Sequence, residues 1–390
     1  MAKKCVLWIA GISLLNYAVV AALQPTVLPV QYGQYGGSVA VGSENTLVTW
    51  VDYRRTLDMD REIFGTRIGP AGEPLDGDGI PLTGSADGQA AVAALGDQFL
   101  IVWSRGPNIY ARRMTSAGEL LDTQPIVVRA NTGHPFPELV YLELSAAADG
   151  VNFWVAWADD RSMPAGTPEH LRYDYQDIYA ARISPAGRVL DPRGIRICTR
   201  PGNQHSPRLS PKADFIVWND TRPARRCIFG SRLNPRGIAM DANGFAIVSC
   251  REHQLTAADV SGNSTGWLVV WRDETRIYGA KVNKARGVSS TLNIGITMQN
   301  PVPQVETSGE DFLVLWQDGA STVGKRVTAT KRVGQTVTIA TDPSGAGYYS
   351  LGSFAGNGSR FYVIGTTAPI NSTWFYNDVW YGAFGGRMIP

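Results

Sequence analysis

Phe153-Trp154-Val155-Ala156-Trp157 is a strand-forming run that ends in tryptophan, and the chain repeats it. Thr46-Leu47-Val48-Thr49-Trp50, Phe99-Leu100-Ile101-Val102-Trp103 and Phe215-Ile216-Val217-Trp218 have the same form. So do Trp267-Leu268-Val269-Val270-Trp271 and Phe312-Leu313-Val314-Leu315-Trp316. The terminal tryptophans follow one another at intervals of 53, 54, 61, 53 and 45 residues. A degenerate copy, Phe361-Tyr362-Val363-Ile364-Gly365, stands in seventh place. Self-similarity at this period marks a repeated supersecondary unit.

Working outward from the tryptophan, each unit continues with a polar loop carrying Asp and often Arg: Asp52 and Arg54, Asp160 and Arg161, Asp220 and Arg222, then Asp273 and Asp318. A second strand follows, as in Asp177-Ile178-Tyr179-Ala180-Ala181-Arg182, and the turn Ser184-Pro185-Ala186-Gly187 leads through Leu190-Asp191 to Gly194-Ile195-Arg196-Ile197. A further turn opens an alternating strand such as Ala90-Ala91-Val92-Ala93. Four short strands joined by turns, with no crossover helix, make an antiparallel sheet. Such sheets repeated around an axis are propeller blades, which leave few exposed edges. Stacked sandwiches would need linkers for which the chain has no room. The expected fold is therefore all-β, a seven-bladed β-propeller of four-stranded antiparallel blades, or six-bladed if the degenerate copy is only a tail. Thr26-Val27-Leu28-Pro29-Val30 reads as a fourth strand that precedes the first unit, while the last unit lacks one. The N-terminal strand is expected to close the ring by pairing beside the strand around Asp378–Phe384.

Residues 1–22 have the layout of an export signal, with Lys3 and Lys4 ahead of an apolar run that ends in small residues. Cleavage after Ala22 leaves residues 23–390 as one propeller domain with no other span, secreted, extracellular or periplasmic. An uncleaved membrane anchor is the alternative. Lysine and arginine number 36 against 34 acidic residues, a balance that argues against a nucleic-acid partner. Three cysteines remain after cleavage, enough for one bridge and one leftover thiol. Counting outward from the turn near Ile238 and Ala239 brings Cys227 opposite Cys250, so this pair is the expected disulfide and Cys198 the buried free thiol.

The units resemble those of a broad group of exported bacterial repeat proteins that read Trp-x-Asp-x-Arg, Asp-Ile-Tyr-x-x-Arg and Gly-x-x-Leu-Asp-x-x-Gly-Ile. The third unit, Trp157 to Ile197, carries the pattern most fully. The resemblance covers the mature chain and implies the propeller architecture; the group has no common function to carry over.

A Trp, Asp or Arg present in nearly every unit points to blade packing, since an active site needs one constellation and not six. The histidines break the repeat. His134, His205 and His253 fall in connections leading into the inner strands of blades 3, 4 and 5, and His170 falls in the long loop after Trp157. All four are expected to open on one face, within reach of one another if they share a site. Gln204, Gln254, Arg208 and Arg251 lie beside them, and Arg172, Tyr173 and Tyr175 lie in the blade-3 insertion. Neutral imidazoles there could hold a divalent metal ion. Alternatively His, Tyr and Arg suit the base, acid and carboxylate-neutralising roles of β-elimination on an acidic polysaccharide. This is the style of site in propeller polysaccharide lyases, although no motif of those families is present. Exposed aromatic rings that stack on sugars favour a binding module for an extracellular glycan or protein over a lyase or hydrolase. A structural subunit of a surface assembly is the third reading.

Overall fold

The tryptophan-ending segments are strands buried on both faces: Thr46–Asp52, Phe153–Asp159 and Phe215–Asp220 are buried along their whole length. A strand whose every side chain is apolar or tightly bound must be covered on both sides, and here the covers are the neighbouring sheets. The computed structural model describes residues 26–27, 34–54, 61–88, 90–130, 143–168, 171, 174–222, 226–251, 255–297, 301–341, 348–357, 360–368 and 378–385. The proposed export signal, and with it Cys5, lies outside the described residues.

The strands group into seven antiparallel sheets, six of four strands and one of five. Blade 3 shows the plan: Leu144–Ala148, Phe153–Asp159, Asp177–Ile183 and Ile195–Cys198 pair in sequence order. Blade 4 has the same path, with the two-residue strand Ile238–Ala239 and Phe245–Arg251 both pairing with Arg226–Asn234. The innermost strands are Gln34–Val41, Ala91–Leu95, Leu144–Ala148, Gln204–Leu209, Leu255–Gly262, Gln304–Ser308 and Tyr348–Gly356. Each touches the next, and the last touches the first, so the ring is closed. The last sheet is completed by the N-terminus as expected: Thr26 pairs with Tyr381 and Val27 with Trp380.

The core lies between blades. Trp157 packs with Leu100 and Val102 of blade 2, Trp218 with Trp154 and Ala156 of blade 3, and Trp316 with Leu268 and Val270 of blade 5. Each tryptophan thus fills the wedge towards the preceding blade. Its indole also fixes the loop Asp: Nε1 donates to Asp52 from Trp50 at 2.8 Å, to Asp159 from Trp157 at 2.7 Å and to Asp220 from Trp218 at 3.0 Å. In blade 3 the residue in this role is Asp159, not Asp160, because the carboxylate must lie two residues beyond the tryptophan to reach its indole. The same carboxylate binds the Arg two residues further on, with Nη2 of Arg54, Arg161 and Arg222 at 2.7, 2.5 and 2.5 Å. That guanidinium then lies over the aromatic ring of the next strand, 4.2, 4.0 and 4.0 Å from the centroids of Phe64, Tyr179 and Phe229.

The strand arginines have other partners. Arg67, Arg113, Arg182 and Arg232 pair with Asp76, Asp122, Asp191 and Asp241 at the Leu-Asp step or its equivalent. The free Nη1 of each reaches a carbonyl of the next blade: Ser116, Pro185, Pro235 and Lys284. Lys281 reaches Ala329 and Arg360 reaches Pro70 in the same way, the latter joining blade 7 to blade 1. Asp76 and Asp241 are therefore engaged by arginine. The glycine of the Leu-Asp-x-x-Gly-Ile phrase has a steric reason too. Gly244 has φ +72 and a Cβ there would stand 2.3 Å from the Trp218 ring.

Cys198 is a buried free thiol, as expected. Burial pushes its pKa to about 11, and Arg222 Nη2 lies 3.2 Å from its sulfur. Cys227, buried on the third strand of blade 4, is disulfide-bonded. Among the described residues no helix is long and apolar enough to cross a membrane.

Candidate functional site

The inner strands enclose a channel cavity of about 770 Å³ lined by all seven blades. Its walls can be compared level by level, because the same position of each inner strand pairs with the residue just before the strand-end tryptophan. Around the ring that position holds Ser38, Ala91, Ser145, Arg208, Asp259, Gln304 and Ser353. Two residues further along stand Ala40, Ala93, Ala147, Ser210, Ser261, Glu306 and Ala355. Small residues are what seven converging strands can accommodate. The departures fall on three adjacent blades: Arg208 on blade 4, Asp259 on blade 5, Gln304 and Glu306 on blade 6.

Backbone irregularity aims two of them. A bulge separates His205 from Arg208, with Ser206 at φ +54, and another separates Thr256 from Asp259. Bulges bend a strand and redirect the side chains that follow. Asp259 Oδ2 accepts the Val305 amide across the blade 5–6 gap at 2.8 Å, as Ser145 accepts that of Leu209 across the blade 3–4 gap at 3.0 Å. Glu306 Oε2 accepts the Ser261 hydroxyl at 3.3 Å, and Gln304 donates Nε2 to Gly352 at 3.1 Å. Burial raises Asp259 to about 6, against hydrogen bonds and the Arg208 charge that pull it down. Burial also raises Glu306 well above the usual carboxylate range, and the Asp259 charge adds to the effect.

A second group sits at the channel mouth between blades 3 and 4. His205 Nδ1 lies 2.9 Å from Ser206 Oγ and 3.9 Å from Glu143 Oε2. Burial lowers its pKa, with Glu143 opposing, so the imidazole is neutral above the usual histidine range. Gln204 is fully buried, and among the described residues neither polar atom of its side-chain amide has a hydrogen-bond partner. In blade 1 the equivalent Gln34 donates to Asp52 at 3.1 Å. In blade 4 Asp220 accepts from Trp218 and Arg222, as Asp52 does from Trp50 and Arg54, but not from Gln204. The Gln204 backbone N–H donates to the Gln176 carbonyl at 2.8 Å, tying the blade-3 insertion to the mouth at the residue that follows exposed Tyr175.

The residues expected from sequence divide accordingly. Gln204 and His205 lie on the inner strand itself and not in the connection before it, and Tyr175 is exposed nearby. Arg208 is on the channel wall, away from the loops. Arg251 ends the last strand of blade 4. His134, His170, His253, Arg172, Tyr173 and Gln254 lie outside the described residues, and with them the joint histidine face. Among the described residues no group of three or more His, Cys, Asp or Glu is placed to hold a metal ion. Glu143, Asp259, Gln304 and Glu306 went unread, although a signal existed. Counting twelve residues back from the tryptophan, or from Gly365, lands on the channel level in every blade but the fourth, where the hairpin is two residues shorter.

No family model and no curated protein sequence matches the chain. Many solved structures resemble it in shape. A Penicillium chrysogenum α-L-arabinanase, solved with arabinobiose, matches at TM-score 0.53 and 10% identity over 95% of this chain and 100% of that one. The Dos1 propeller matches at 0.50 and 11%, over 95% and 97%. A Mycobacterium tuberculosis puromycin-hydrolysing peptidase matches at 0.53 and 12% over 89% of this chain, which spans 52% of the peptidase, as it spans 50% of a prolyl endopeptidase. At such identities the shared property is the β-propeller fold.

Proposed function

We propose that the protein is an extracellular binding module that takes a glycan at the channel mouth between blades 3 and 4. The observation that carries this is the Gln204 amide, buried with donor and acceptor both unspent, next to His205, Glu143 and exposed Tyr175. A buried amide without partners costs about 1–3 kcal/mol, so it is retained where something else completes its bonds. Sugar hydroxyls donate and accept at once, and their C–H faces stack on an exposed ring. In blades 1, 3 and 4 the repeated Trp, Asp and Arg residues are bound to one another and packed between sheets, and are no part of this site. The propeller fold is compatible with sugar binding, as the arabinobiose-bound arabinanase illustrates.

The test is a glycan array probed with the whole protein, alongside an ultraviolet assay for unsaturated uronate products. Binding should be detected, and Tyr175→Ala and His205→Ala should each weaken it by about tenfold. A blank array, or binding that neither substitution alters, overturns the reading. Unsaturated products would replace it with the lyase.

We also propose Cys250 as the partner of Cys227. The pairs Arg226–Arg251 and Ile228–Val248 bracket Cys227 opposite residues 249 and 250, with a bulge between them. Peptide mapping without reductant should recover a 227–250 cross-link. Cys227→Ser should destabilise by about 2–4 kcal/mol. A 198–227 or 198–250 link would refute the pairing.

A further inference from the structure

The blade arginines discussed above are matched to aspartates at 2.5–2.8 Å. The charged groups of the channel wall are not matched. Arg208 makes one hydrogen bond, from Nη1 to the Pro207 carbonyl at 3.1 Å, and no ion pair among the described residues. Among the described residues Asp259 and Glu306 bind only uncharged donors, the Val305 and Val260 amides on the first and the Ser261 hydroxyl and Thr307 amide on the second. Yet these groups feel one another: Arg208 stabilises the Asp259 carboxylate, and Asp259 opposes ionisation of Glu306. One end of the cluster lacks an anion and the other lacks a cation. Gln304 has spent its Nε2 on Gly352, which leaves its amide oxygen as an acceptor.

A molecule carrying both charges would complete this arrangement. We propose that the channel wall of blades 4 to 6 binds a small zwitterion of the α-amino-acid class, with its carboxylate on Arg208 and its ammonium at Asp259, Glu306 and Gln304. A guanidinium engages a carboxylate through paired N–H donors, which fixes orientation as well as charge. An ammonium brings up to three donors, one for each of the acceptors on blades 5 and 6. The cavity, about 770 Å³, is of the size that encloses small molecules. Its remaining wall is mostly Ala, Gly, Ser, Val and Leu, with Glu143 on blade 3 the other carboxylate, and leaves room for an apolar side chain. The site is distinct from the glycan mouth, and its proof or failure is independent of that reading.

Calorimetry on the whole protein tests it, with L-amino acids one at a time, their N-acetyl and methyl-ester derivatives, galacturonate and calcium chloride as probes. At least one free amino acid should bind at about pH 7.5, and each blocked derivative should bind about tenfold more weakly. Arg208→Met and Asp259→Asn should each cause a comparable loss while melting as a folded protein. Binding should also weaken below about pH 6, where Asp259 takes up a proton. The proposal is overturned if no free amino acid binds at about 10 mM. Equal binding of the blocked forms overturns it, as does binding of galacturonate or calcium in their place.

Discussion

Asp159→Ala should destabilise the protein by about 3–5 kcal/mol, the range for stripping the partner from a buried charge. Asp159 is fully buried and holds three groups: the Trp157 indole at 2.7 Å, Arg161 at 2.5 Å and Arg129 Nε at 2.8 Å. Arg129 is itself buried at 6% exposure, so losing the carboxylate strands a guanidinium in the interior. Burial alone would raise Asp159, but hydrogen bonds from Arg161 and Trp157 and the charges of Arg129 and Arg161 hold its pKa below the usual range. Its contribution is therefore complete above the unfolded carboxylate value and lost as pH falls through the lower folded one. Urea denaturation at neutral pH measures the effect, with Asp191→Ala as comparison. The Arg182–Asp191 pair lies nearer the surface, at 16% and 17% exposure, and its loss should cost about 1 kcal/mol. Equal costs for the two substitutions would refute the assignment.

Asp259 should do the opposite. Its folded pKa is raised to about 6, so between the unfolded carboxylate value and about 6 the folded chain holds a proton that the unfolded chain has released. Stability must then fall as pH rises through that window. At about 1.4 kcal/mol per unit, the loss approaches 3 kcal/mol, less whatever channel water screens. Asp259→Asn keeps an oxygen for the Val305 amide and removes the charge. It should be nearly neutral at about pH 4 and stabilising by up to about 3 kcal/mol at about pH 8. Denaturation curves across pH decide it; a variant weaker than the parent at about pH 8 would sink the prediction.

The two aspartates also show what the sequence made legible. Asp159 belongs to a phrase repeated around the ring, and repetition exposed the blades, their four strands and the closure by Thr26–Val27. Only the count within the loop slipped by one, since Asp159 and Asp160 are adjacent and the indole selects between them. Asp259 occurs once, and its meaning comes from what stands at the same level elsewhere: Ser38, Ala91, Ser145 and Ser353. Searching for what breaks the repeat, applied to histidine, led to the mouth residue His205, the other three histidines lying outside the described residues. The carboxylates looked ordinary because a lone Asp or Glu in an alternating strand reads as solvent-facing. Only the convergence of seven strands turns that face inward.

The pairing of Thr26 with Tyr381 joins positions near the two ends of the chain. Loop-closure entropy makes such non-local contacts slow to form. On a ribosome, the early blades could assemble in order as they emerge, each resting on its predecessor. The first sheet would meanwhile present an uncovered flank, because its neighbour in the circle is the last to be made. Joining the last sheet to the first thus waits until the strands of that sheet have been made. A chain stalled before residue 348, with none of the last sheet's own long strands made, would remain an open arc whose two bare flanks invite association with other molecules.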